Sequence, residues 1–249
     1  MSVPPALEAA GARPYWRIWS IALACGIAAG LLAWLGEEVA HDAFKPQLYR
    51  TEILGFVSMQ PSIASQKAAD YKNSALTFFI LGCATGLAMG VAGGLVARLP
   101  SRGLLVGLGA QAAGGLVAVS ASLALVRLYY RDQVPDVNDL VTPALIQGGI
   151  WTPIGAVGGL AFAFGAGAGR RHLFTCIYSA CIGAFLAAFL TQFAGAIVFP
   201  ESRITDPVAN SPLARLLATA MFSIMVAVGA AWGVLGARPA APAPAAPGQ

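Results

Sequence analysis

The chain has 249 residues, 57% of them apolar and 10% charged, with 29 glycines, a mean hydropathy of +0.71 and a formal net charge of +4. A typical soluble domain carries about 25% charged residues. The balance therefore excludes a disordered chain, a disulfide-stapled secreted domain and most soluble enzymes, and it points to a membrane protein.

Six stretches hold no Asp, Glu, Lys or Arg: residues 18–35, 73–97, 103–126, 140–169, 173–200 and 216–237, together 147 of the 249. A bilayer-crossing helix needs roughly 20 predominantly apolar residues, so all six are long enough. No stretch alternates polar and apolar residues with the period of two that a transmembrane β-strand requires. The expected fold class is all-α: a polytopic bundle of six transmembrane helices.

In chain order, residues 1–12 form an N-terminal segment ahead of Arg13 and Arg17, the positive flank of the first span. Ala22-Leu23-Ala24-Cys25 resembles a lipoprotein cleavage box, but it opens on Ala rather than a larger aliphatic residue, and the apolar run continues to Leu35. The first helix is therefore expected to be retained. Trp16, Trp19 and Trp34 bracket it as interfacial anchors. Just beyond it, Glu37-Glu38-Val39-Ala40-His41-Asp42 is the best-looking chemical cluster in the chain. On a continuing helix Glu37 and His41 stack at i,i+4, as do Glu38 and Asp42. Glu38-x-x-His41 echoes half of a di-iron motif, yet that chemistry needs a second copy and further carboxylates, and the other histidine, His172, falls on the opposite side. The cluster reads as a helix end at a wet interface. The outer segment 36–72 mixes amphipathic helix with breaks at Pro46 and Pro61, and it is able to cap the bundle or touch a partner.

The even-numbered spans open with Asn73-Ser74-Ala75-Leu76, Thr142-Pro143-Ala144-Leu145 and Asn210-Ser211-Pro212-Leu213, each a capping residue followed by Pro or Ala. Counting from each Leu, positions +10 and +14 are Gly86 and Gly90, Gly155 and Gly159, then Ser223 and Ala227. The third and fifth spans match at an offset of 69, pairing Arg102 with Arg171, Gly114 with Gly183, Ala118 with Ala187 and Ser122 with Thr191. The reading is three tandem hairpins, residues 13–98, 102–170 and 171–238, related by a pseudo-threefold axis along the membrane normal. An Ala/Pro-rich tail, 239–249, follows them as a disordered or extended end.

Glycines recur every fourth residue at Gly82, Gly86, Gly90 and Gly94, and again at Gly103 and Gly107. Gly155, Gly159 and Gly183 continue the theme. Such rows lie along one helix face, and in lipid they are expected to be grooves into which a neighbouring backbone sinks. Their structural reading outweighs a phosphate-cradling one.

The spans contain no Asp, Glu, Lys, Arg or His, which counts against proton relays, ion-coupled pumps and embedded hydrolases. Among their polar residues, Gln111, Gln147, Thr152, Thr191 and Gln192 either line a solute path or hydrogen-bond across helices. Thr152-Pro153 is expected to kink the fourth helix. Arg127 and Arg215, at outer ends, are expected to snorkel to headgroups. Cys25, Cys83, Cys176 and Cys181 all fall within spans, without a Cys-x-x-Cys pair, and read as small apolar residues.

With the N-terminus inside, the cytoplasmic segments carry Arg13, Arg17, Arg98, Arg102, Arg170, Arg171 and Arg238 against one acid, Glu8. The positive-inside rule then places both termini in the cytoplasm of an inner (plasma) membrane protein. The basic pI comes from helix-flanking Arg, so no nucleic-acid partner is expected. The partners expected are the bilayer and other membrane-protein subunits or a second copy, with no cofactor and no metal. Three function classes follow. A non-enzymatic scaffold, assembly factor or complex subunit is favoured by the glycine grooves. A passive channel or facilitator for a small neutral solute is the alternative, and an enzyme or sensor using the outer loop is the third.

Overall fold

The computed structural model describes residues 15–53, 56–131, 140–199 and 206–236. The N-terminal segment 1–12, the tail 239–249, and Arg13 and Arg238 lie outside the described residues. Six helices are present among those described: α1 Tyr15–Ala40, α2 Ile63–Ala97, α3 Pro100–Arg131, α4 Val141–Ala166, α5 Arg170–Val198 and α6 Pro212–Gly236. All six are long and apolar enough to cross a membrane, consistent with a multi-pass membrane protein.

The 36–72 segment departs from the expected amphipathic helix. Leu48–Ile53 (β1) and Phe56–Pro61 (β2) pair antiparallel, with Leu48 opposite Pro61 and Ile53 opposite Phe56. Pro46 and Pro61 bound a run containing Tyr, Thr, Ile, Phe and Val, types that suit a pleated strand better than a helix. Ser62 then caps α2, its hydroxyl oxygen accepting from the Ser65 N–H at 3.2 Å. Asn73, expected to cap the second span, therefore lies inside α2. Its side-chain amide instead pins the loop after α1, bonding the Phe44 N–H and C=O at 3.0 Å each. At the opposite end, α4 stops at Gly167, whose φ of 69° is a left-handed cap that glycine adopts without strain.

α2, α4 and α6 are the more enclosed helices: the apolar centre of α4 is 56% buried, that of α3 only 22%. α4 touches both α2 and α6, while α2 and α6 meet lightly. Each remaining helix lies against two of these: α1 against α2 and α6, α3 against α2 and α4, α5 against α4 and α6. The outer faces of α3 and α5 expose Leu105, Leu116, Phe174, Tyr178 and Ile197, the surface lipid requires.

Close backbone approaches run along these seams. A Cβ built on Gly90 would stand 2.5 Å from the Gly107 Cα, and one on Gly82, Gly86 or Gly94 would fall on the backbone of Gly114, Ala110 or Gly103. On α4, Gly155 faces Ala180 and Ala184 of α5, and Gly159 faces Cys176. Gly183 faces the Met225 carbonyl of α6, and Gly26 of α1 faces Ser223 and Ala227. The three enclosed helices converge at Gly158, where a Cβ would meet Val226, Thr85 and Met89 at 3.0–3.4 Å. Above this point Trp151 and Phe222, both buried, meet at a tilt of 57° with ring centroids 5.1 Å apart.

Candidate functional site

The end of the bundle that carries the β-hairpin is where α2, α4 and α6 begin and where α1 and α5 end. The buried face of α1 explains what α1 contributes there. Ile18, Ala22, Gly26, Ala29, Gly30 and Ala33 form its buried row, and Glu37 is the next residue on that row. Its carboxyl is thereby carried into the protein, leaving Glu37 3% exposed. This corrects the reading of Glu37 as part of a wet helix end, whereas His41 and Asp42 are exposed as that reading has them. The helix also stops at Ala40, and Asp42 takes a φ of 53°, so the expected Glu38–Asp42 and Glu37–His41 stacks give way to other contacts.

Arg215, in the first turn of α6, is also 3% exposed rather than snorkelled to headgroups. It grips Glu38 with a two-pronged fork, Nε donating to Oε1 at 2.8 Å and Nη2 to Oε2 at 3.0 Å. Its Nη1 donates to the carbonyls of Ala209 and Asn210 at 2.8 and 3.1 Å. The His41 ring, 3.5 Å from Nη1, stands the same distance from Asp42. Buried, the guanidinium finds its solvation in protein oxygens, which is the condition for holding a charge there. The clamp joins α1 to α6 and holds the segment before α6 across the bundle end. Glu37 lies within electrostatic reach of Arg215 and accepts no hydrogen bond from it, because that fork is spent on Glu38.

Beneath this clamp is a cavity with about 30 Å³ open to water, room for roughly two water molecules. Glu37 contributes from α1, Thr77 and Leu81 from α2, Gln147 and Trp151 from α4, Thr191 and Gln192 from α5, and Arg215, Ala218 and Thr219 from α6. Asp206, Pro207, Val208 and Ala209 close it from above. A smaller adjoining cavity of about 10 Å³ shares Gln147, Gln192, Asp206 and Pro207 and reaches Phe78 and Tyr129. The Gln192 amide donates to Gln147 Oε1 at 2.9 Å, an inter-helix bond across the wall. Two other buried groups on the wall have no partner among the described residues: the Trp151 indole N–H, 1% exposed, and the Thr191 hydroxyl, 3% exposed. Trp151 lines the chamber, and its ring meets that of Phe222, which lies outside the lining.

Of the polar residues singled out in the sequence, Gln147, Thr191, Gln192 and Glu37 come together here, with Glu38 and His41 on the clamp above. Thr152 and Gln111 do not. The Thr152 hydroxyl donates to the Gly148 carbonyl at 2.7 Å within its own helix, and α4 continues through Pro153. Gln111 lies on α3, beside the Gly86 contact. Arg215, Trp151 and Thr219 were not anticipated as site residues. Arg215 and Gln147 occupy the same position, +2, in the Leu-based frame, as do Trp151 and Thr219 at +6; that register was the available signal. Among the described residues no three His, Cys, Asp or Glu side chains converge as metal ligands, and the four cysteines are free thiols.

No protein-family model, curated protein or solved structure matches the chain.

Proposed function

We propose that this protein is a non-enzymatic facilitator of an inner membrane, which admits a small neutral solute from the hairpin side into the polar chamber at the end of its helical bundle. The observation that carries the reading is the chamber itself. Residues with buried polar groups on α1, α4, α5 and α6 line one water-sized space, and two of those groups, the Trp151 N–H and the Thr191 hydroxyl, have no partner among the described residues. An indole N–H only donates; left without an acceptor it costs about 1–3 kcal/mol, and packing alone gains nothing from it. Trp151, backed by Phe222, stands between the chamber and the bundle centre at Gly158, and on this reading the conformation is a closed one.

The same proposal takes the bundle as three tandem hairpins about a pseudo-threefold axis, with both termini cytoplasmic and the hairpin end outside. Three features support the repeat. Met89, Gly158 and Val226, all at +13 in the frame, meet at the centre. The +10 and +14 pairs each face a flanking helix: Gly86 and Gly90 face α3, Gly155 and Gly159 face α5, Ser223 and Ala227 face α1. Each odd-numbered helix lies between the even helix of its own hairpin and that of the preceding one, taken cyclically. The symmetry is imperfect, since Gly114 meets α2 of the preceding hairpin whereas its counterpart Gly183 meets α6 of its own.

A scaffold or complex subunit is the second reading, favoured by the backbone-to-backbone glycine seams that close space rather than open it. Osmotic reswelling of proteoliposomes separates the two. A facilitator lets at least one small neutral solute re-enter faster than in protein-free vesicles; equal rates across a panel of such solutes would leave the scaffold.

A further inference from the structure

We infer that the chamber is a binding site for a small neutral amide, a solute of the urea or acetamide class; this rests on the facilitator reading and names its substrate. The wall sets two opposite demands. Glu37 is 3% exposed and receives no hydrogen bond among the described residues, because the nearby cation is committed: Nε and Nη2 of Arg215 hold Glu38, and its Nη1 holds two carbonyls. Its carboxyl oxygens are acceptors in want of a donor. Trp151 presents the reverse case, an indole N–H that only donates, buried at 1% exposure with no acceptor. Thr191 adds a hydroxyl, 3% exposed and unpartnered, that serves either way. A ligand that relieves these groups together must donate at one edge and accept at another.

A simple amide does so within a flat, compact frame of four heavy atoms; the closed chamber has room for roughly two waters, so the site takes an amide as the chamber widens. Its N–H groups serve the Glu37 carboxyl, and its carbonyl oxygen serves the Trp151 N–H. The match holds in either protonation state of Glu37: a carboxylate accepts two N–H donors, and a carboxylic acid pairs with an amide by giving one hydrogen bond and taking one. A cationic solute fits less well, because it brings a second positive charge beside a buried guanidinium whose partner is already chosen. A polyol such as glycerol presents no planar pair of donors to the carboxyl and needs more room.

The test uses the full chain, in detergent for saturation-transfer NMR with acetamide, and in proteoliposomes for reswelling with urea, acetamide, glycerol and methylammonium chloride. Acetamide is expected to bind, and the two amides to enter at least tenfold faster than glycerol or methylammonium. Trp151→Phe keeps the ring and removes the N–H, and should cut amide binding and flux about tenfold. Trp232→Phe, on an exposed residue away from the chamber, is the control and should change neither. If Trp151→Phe yields little folded protein, Thr191→Val makes the same comparison. Preferential passage of glycerol or methylammonium without acetamide binding would overturn the amide assignment and leave the facilitator. Acetamide binding lost in Trp151→Phe, with no solute crossing, would keep the site and overturn the facilitator. Neither binding nor flux would overturn both.

Discussion

The Glu38–Arg215 clamp makes an asymmetric prediction, because its two ends are not equally buried. The Arg215 side chain is 3% exposed and that of Glu38 26%. Glu38→Ala removes both prongs of the fork from a guanidinium that is 3% exposed, leaving it the carbonyls of Ala209 and Asn210, the His41 ring at 3.5 Å and the nearby Glu37. Breaking a buried pair this way costs about 3–5 kcal/mol. Arg215→Met instead strands a carboxylate that can rehydrate, together with carbonyls in the connecting segment before α6. Its cost should stay nearer the loss of charged hydrogen bonds, about 1.5–3 kcal/mol. For a chain of this size 1 kcal/mol moves Tm by about 2–4 °C, so Glu38→Ala should melt roughly 6–20 °C below the wild type. The double variant Glu38→Ala/Arg215→Met should melt above Glu38→Ala alone, since it removes the stranded charge. Thermal unfolding in detergent, followed by circular dichroism and size-exclusion recovery, reads all four proteins. An Arg215→Met variant less stable than Glu38→Ala, or a double variant no better than Glu38→Ala, would refute the idea that burial of the guanidinium dominates.

Gly90→Leu should lower stability by about 1–3 kcal/mol through overpacking, because a Cβ there already meets the Gly107 backbone at 2.5 Å; Gly109→Leu, where a Cβ meets nothing within 4 Å, should leave melting unchanged, and equal effects would refute the seam. For topology, reporter fusions after Gly103 and His172 should read as cytoplasmic and those at Ser58 and Asp206 as exterior. The reverse pattern would place the chamber on the cytoplasmic side.

Much of the bundle was legible because a membrane imposes a coarse rule: runs free of charge become helices. The rule failed at the edges of those runs. Treating Glu37 as the end of a span ignored that the small-residue row of α1 carries it inward one more turn. Arg215 was assigned to headgroups because long cations usually snorkel, but its position places it beside Glu38, which offers a bidentate partner. Neither side chain declares its partner locally, since they stand 177 residues apart. The β-hairpin between α1 and α2 was missed for a different reason: its two prolines were read as interruptions of a helix rather than as the bounds of a strand pair. Gln147 and Gln192 were visible as span polars, whereas the orphaned Trp151 N–H emerges only when three helices close around it.

The chamber as a solute site reached from the hairpin side is tested most directly by side-specific labelling of Ala218→Cys, on the chamber wall. A membrane-impermeant thiol reagent is added to sealed vesicles of known orientation, with the wild type and its four native thiols as background. The account predicts modification from the hairpin side alone, slowed by excess acetamide and accompanied by loss of amide flux. No modification above background from that side, or equal modification from both, would contradict it.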